Sequence, residues 1–256
     1  MADTVLSDSA AGAPDVPDVP DVWRLRARGC WTEAAALLAP RSTEDAGAAL
    51  TRASLLVEAC LYLVEGWAEA EDALRTAEAM AHTDQQRGAA ASERGYLAYA
   101  ATLFSVRDRS DEARSAFGRG AALLGPGAAG RPLLDFRRGL VAENLAANPA
   151  AARAAYRKAH AGAVAHGDVL LTSSTWRHLA GLAAAEGDLA EARHGFAESL
   201  RIRVSLGHVV GTAPALLALA EVTADAAESE RLRSEAARLH ELLGGVPTWL
   251  ASALSA

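Results

Sequence analysis

The side chains able to do chemistry in this 256-residue chain are arginines, carboxylates and seven histidines. Two adjacent basic pairs, Arg137-Arg138 and Arg177-His178, lie 40 residues apart. A guanidinium fork grips a carboxylate through two parallel hydrogen bonds, so such pairs suit recognition of an acidic group. The histidines are His82, His160, His166, His178, His194, His208 and His240. His160 and His166 fall on different faces of a helix. His178 and His194 belong to neighbouring predicted helices and could approach one another, but no carboxylate spacing completes a metal site around them. Carboxylates elsewhere alternate with arginines along predicted helices, the pattern of a solvated face. No GxxxxGK[ST], HExxH, GxSxG or DDxxD motif occurs. The expectation is therefore no catalytic residue, no cofactor and no bound metal.

Bulk composition narrows the field further. The net charge of −7 argues against wholesale nucleic-acid binding. Half the residues are hydrophobic, but only 5% are aromatic, so packing must run from alanine to leucine with few large anchors. Lys158 is the sole lysine. Cys30 and Cys60 form no CxxC pair and read as buried thiols of a reducing compartment. The N-terminal residues lack a basic region followed by an apolar core, and no apolar run approaches a membrane span. A soluble, cytoplasmic protein is the expectation.

The elements that position these groups are clearest between Trp176 and Gly207. Trp176, Leu179, Ala180 and Ala183 recur at i, i+3, i+4 and i+7, one face of a helix. Gly187 can take the left-handed conformation that closes a helix, and Asp188 can cap the next, with Glu191 three residues on. The second helix presents Ala192, Phe196 and Leu200. So short a turn makes the helices antiparallel, and faces this narrow must stack on neighbouring copies. Copies are present. The small residue opening each second helix recurs at Ala34, Ala70, Ala113, Ala152 and Ala192, at intervals of 36, 43, 39 and 40 residues.

Around this repeat the chain is organised simply. Residues 1–20 form a Pro/Asp/Val-rich leader whose prolines disfavour regular structure, so it reads as disordered. Residues 21–256 form the helical array. Gly125-Pro126-Gly127 with Gly130-Arg131-Pro132 is the strongest breaker cluster, the place for any hinge. The helix from Ala226 has a charged outer face, and Val246–Leu254 folds back as a cap.

Trp176, Leu179, Ala180, Gly187-Asp188, Ala192 and Phe196 resemble the tetratricopeptide repeat (TPR) pattern at its usual spacing. Ala183 stands where that pattern has tyrosine, and Ser199 where it has alanine. The long second helix is similar to arrays at the C-termini of large bacterial signal-transduction ATPases and to repeat proteins of high-GC bacteria. The resemblance implies an all-α, right-handed α-α superhelix (solenoid) of about six helical hairpins. It also implies that first helices line a concave groove. That places Arg137, Arg138 and Asn144 of hairpin four, Ser174, Arg177 and His178 of hairpin five, and Tyr99 and Thr102 of hairpin three on the inner surface. Val141 and Gly181 occupy the places where a family carboxylate clamp carries asparagine.

The expected function is non-enzymatic binding of a protein or peptide segment, one bearing an acidic or carboxylate group, by a scaffold or regulatory adaptor. A peptide or small-ligand sensor acting in trans with a transcriptional regulator is the alternative. A helical-solenoid enzyme of specialised metabolism is the second. Neither direct nucleic-acid binding nor membrane association is expected, and the oligomeric state is open.

Overall fold

The computed structural model describes residues 20–255, which contain thirteen α-helices and no strand. The predicted leader lies outside the described residues, apart from Pro20, which begins the first helix. Six hairpins follow in order. They are α1 Pro20–Ala27 with α2 Trp31–Leu38, α3 Ala46–Leu63 with α4 Trp67–Met80, and α5 Asp84–Leu103 with α6 Ser110–Leu123. Then come α7 Arg131–Asn144 with α8 Pro149–His166, α9 Val169–Ala185 with α10 Leu189–Ser205, and α11 Val209–Glu221 with α12 Ala226–Leu242. A short α13, Leu250–Leu254, ends the chain. Helices adjacent in sequence pack in consecutive pairs, and the chain is an all-α helical-repeat solenoid.

The repeat positions read from sequence carry the hairpin contacts. Ala34, Ala70, Ala113, Ala152 and Ala192 are each 0% exposed. Four residues on, Leu38, Leu74, Phe117, Tyr156 and Phe196 are buried as well. In hairpins three and four the aromatic ring lies against a glycine of the facing helix. A Cβ at Gly95 would sit 2.7 Å from the Phe117 ring, and one at Gly139 would run into Tyr156. Glycine is required there by close approach of the helices, not by backbone angle.

The turns differ in how they stop the first helix. Gly187 takes φ +84° in hairpin five, as its type allows. Val64, Ser105 and Ala147 take the same left-handed region in hairpins two to four, where a side chain costs roughly 1 kcal/mol. Asp188 accepts from the Glu191 amide at 3.0 Å and Asn148 from the Ala151 amide at 3.0 Å. The full reciprocal capping box is at Thr83 and Gln86.

The glycine- and proline-rich stretch at 125–132 is pinned at both ends. Leu124 is buried, and the Arg131 guanidinium donates to its carbonyl at 2.9 Å. Phe117, Leu124, Leu134 and Phe136 share one hydrophobic cluster, so the core runs across this linker. One other expectation is corrected. Helix α3 is long and apolar enough, by length and composition, to cross a membrane. Here Ala49, Ala53, Val57 and Cys60 of that helix are packed into the first core cluster.

The array also closes head to tail. Val22 and Trp31 of the first hairpin share a core cluster with Val210 of α11. The Trp23 ring lies 5.9 Å from that of His208. At the other end of the molecule's chain, the Thr248 amide donates to the Tyr62 carbonyl at 2.9 Å, and Trp249 Nε1 to that of Leu61 at 3.1 Å. The two termini of the array therefore meet.

Gly139→Ala should destabilise the protein by about 1–3 kcal/mol, because overpacking against Tyr156 outweighs the higher helix propensity of alanine. Gly181→Ala, in a helix interior with nothing within 4 Å of the added methyl, should stabilise it by about 0.5–1 kcal/mol. Chemical denaturation of both variants checks the opposite signs.

Candidate inner-face site

Arg137 leaves α7 toward α5 and is 4% exposed. Its Nη2 donates to both Glu93 carboxylate oxygens at 2.8 and 2.9 Å, and its Nη1 to Ser92 Oγ at 2.9 Å. The guanidinium carbon stands 4.3 Å from the centre of the Tyr96 ring. Arg137 is thus a clamp between two hairpins, and the expectation of a groove-facing arginine is corrected for it. Burial forces the pairing, since an uncompensated charge in the interior is strongly unfavourable. Arg138, about 100° further round the helix, is exposed beside Asp135 instead.

Three more expected ligand groups are spent within the fold. Asn144 Nδ2 donates to the Tyr99 hydroxyl at 2.9 Å and to the Leu140 carbonyl at 3.1 Å. Tyr99 is buried and stacks on Tyr96 with ring centres 5.9 Å apart. Burial pushes its phenol well above the ordinary range. Thr102 Oγ1 donates to the Ala98 carbonyl and accepts from the Arg109 amide, which ties down the turn into α6. A chain of intramolecular bonds therefore replaces the predicted row of open contacts.

On α9, Ser174 Oγ donates to the Leu170 carbonyl of its own helix. His178 Nδ1 lies 2.9 Å from Glu143, which also accepts from the Tyr156 hydroxyl. Burial lowers the His178 pKa against the pull of Glu143. Burial would raise Glu143, but hydrogen bonds from His178 and Tyr156 and the field of Arg177 hold it below the usual carboxylate range. His178 and His194 do not form a pair. His194 stands edge-on to one side of Trp176 at 5.4 Å, and His160 packs on the same ring at 4.9 Å. Among the described residues no group of three or more His, Cys, Asp or Glu side chains converges as metal ligands would.

Arg177 remains. No carboxylate lies within 4.0 Å of it among the described residues, and its Nε is buried without a partner. Sequence reasoning missed its neighbour, Arg203 of α10. Arg203 is 6% exposed, donates from Nε to Ser173 Oγ at 2.9 Å and from Nη1 to the Gly211 carbonyl at 2.7 Å. Among the described residues it too has no acidic partner at ion-pair distance, and burial lowers its pKa to about 10. The signal was present: Arg203 follows Phe196 by seven residues, on the packing face of that helix. Next to it, His208 is 2% exposed, and neither ring nitrogen has a hydrogen-bond partner among the described residues. Burial, with Arg203 and Arg26 nearby, holds its pKa well below the ordinary imidazole value.

A separate surface cleft of about 540 Å³ opens beside α4 and the turn after α5. Trp67, Ala101 and Val106 line it together with Glu71, Arg109 and Glu112, which bond to one another.

No protein-family model matches this chain, and no curated protein matches it. Among solved structures, the crystal structure of BtubC (BKLC) from P. vanneervenii is similar, with a TM-score of 0.56 and 14% sequence identity. The match covers 89% of this chain and 94% of that one. At this identity it is a likeness of fold.

Glu93→Gln should destabilise the protein by about 3 kcal/mol, since it leaves Arg137 buried without its counter-charge. Arg138→Gln, at an exposed position, should leave the denaturation midpoint unchanged. The pH dependence follows from His208. Its native pKa is depressed, so below about 6.5 the unfolded chain takes up a proton that the folded chain does not. Stability should fall as pH drops from 7 toward 5, and His208→Gln should flatten part of that fall in thermal melts.

Proposed function

We propose that this chain is a non-enzymatic helical-repeat binding module of TPR type. Its inner face around hairpin five takes a protein or peptide segment carrying an acidic or carboxylate group. One observation carries this reading: Arg177, on the first helix of that hairpin, has no acid at ion-pair distance among the described residues, whereas Arg137, one repeat earlier, is neutralised by Glu93. A guanidinium without a partner is a ready fork for a carboxylate. Support also comes from the solenoid architecture and from the repeat residues Trp176, Leu179, Ala180, Ala192 and Phe196. A cytoplasmic setting, with Cys30 and Cys60 as free thiols, fits the same reading. The contact between α1 and α11 favours, as the second reading, a peptide or small-ligand sensor acting in trans with a transcriptional regulator, because it is an interface that ligand binding can open or tighten.

Fluorescence anisotropy with labelled acidic peptides, bearing free or amidated C-termini, tests the main reading. Arg177→Glu should weaken binding at least about tenfold. Arg157→Gln, an exposed change on α8, should leave it intact. Equal binding by all three proteins would move the contact away from hairpin five. No binding by the unmodified protein would remove the peptide reading.

A further inference from the structure

The cleft beside α4 and the turn after α5 is tied in place by its own hydrogen bonds. Trp67 opens α4, and its Nε1 donates to the Val64 carbonyl at 3.2 Å, which fixes the ring. On the turn, the Val106 and Arg107 amides both donate to the Ala101 carbonyl, at 2.9 and 3.2 Å. The Arg109 amide donates to Thr102 Oγ1 at 2.9 Å. The groups along the cleft are therefore placed before anything binds.

Most of the charge around the cleft is spent within the fold. Arg94 donates to both Glu71 carboxylate oxygens at 2.7 Å and to Glu78 at 2.7 Å. Arg109 donates to both Glu112 oxygens at 2.7 Å and to Glu71 at 3.1 Å. Asp111 accepts from Arg114 at 2.6 Å. Two charged lining groups are left over, Arg107 and Asp108. Among the described residues neither has an opposite charge at ion-pair distance, and they do not pair with each other. The Ser110 amide donates to Asp108 at 3.0 Å and holds its carboxyl below the usual range, so it is ionised at neutral pH.

Trp67, Ala101 and Val106 supply the apolar lining. Val106 is 50% exposed and Trp67 only partly buried, so an apolar body laid there takes that surface out of water. At about 540 Å³ the cleft has the volume of a small-molecule site. A simple cation would lie beside the unpaired Arg107, and a simple anion beside the unpaired Asp108. A ligand bearing both charges meets both. Consecutive Cα atoms are about 3.8 Å apart, so the two charged side chains spring from one point of the rim, and an α-amino acid carries its ammonium and carboxylate similarly close together.

We propose that this cleft binds a small aromatic zwitterion with the charge pattern of an α-amino acid. Asp108 receives the ammonium, Arg107 the carboxylate, and Trp67 with Val106 the ring. The site joins hairpins two and three, so it stands whether or not hairpin five binds an acidic peptide.

Isothermal titration calorimetry of the full chain with L-phenylalanine tests the site. Phenethylamine and 3-phenylpropanoate each keep the ring and one charge, and serve as the comparison. Phenylalanine should bind at least about threefold more tightly than either, the worth of one ion pair open to solvent. Asp108→Asn should abolish its advantage over 3-phenylpropanoate, and Arg107→Gln its advantage over phenethylamine. Both positions are exposed, and asparagine keeps an oxygen for the Ser110 amide, so the fold is not at risk. Arg157→Gln and Arg177→Glu should bind phenylalanine as the unmodified protein does. No binding of phenylalanine, equal binding of the three compounds, or an advantage that survives both Asp108→Asn and Arg107→Gln overturns the proposal. Loss of phenylalanine binding in Arg177→Glu alone overturns it too, by moving the ligand to hairpin five. Acidic peptides that bind through Arg177 while phenylalanine does not bind would keep the peptide reading and remove this site.

Discussion

Two helices of a hairpin can approach closely only where the residue between them is small, and that contact recurs through the whole molecule. Ala34, Ala70, Ala113, Ala152 and Ala192 hold it, each with its methyl fully buried. Close approach lets the large residue four positions on reach across, so Leu38, Leu74, Phe117, Tyr156 and Phe196 fill the space between the helices. At Phe117 and Tyr156 the facing helix yields a glycine, Gly95 and Gly139. Dense packing of this kind leaves little tolerance for an extra methylene. It is how an alanine-rich chain with few aromatics builds a core.

Close packing has an electrostatic consequence. Several polar residues of the first helices are arginines, which the interior accepts only with partners. Arg137 meets this demand through Glu93, Ser92 and the Tyr96 face. Arg26 meets it through Glu58, and Arg94 through Glu71 and Glu78. These pairs join neighbouring hairpins, so they bind the array together as well as neutralising it. Arg177 and Arg203 break the pattern, and departures of this kind mark candidate functional positions.

Closure changes what the array is suited to. In a straight solenoid each unit meets only its neighbours, and the inner surface stays open along its length. Here α1 lies on α11, and the last residues bond to the end of α3, so contacts span more than 180 residues. BtubC shares the fold over most of both chains at 14% identity, which leaves the side-chain chemistry of this inner face its own.

The sequence by itself determined the helices, their pairing and the residues at their contacts. These depend on local spacing, on caps such as Asn148 and Asp188, and on breakers such as Gly187, all readable within one repeat. The partners of the polar residues were not readable in this way. Glu93 lies 44 residues from Arg137, and Asn144 lies 45 from Tyr99. Arg203 looked like one more charge on a long second helix until the contact with Ser173 and Gly211 was visible. Only the tertiary structure decided which arginines are neutralised, because ion pairing depends on the distance between side chains on different helices. The same holds for the meeting of the two termini, which accumulates from small rotations at every hairpin and appears in no single one.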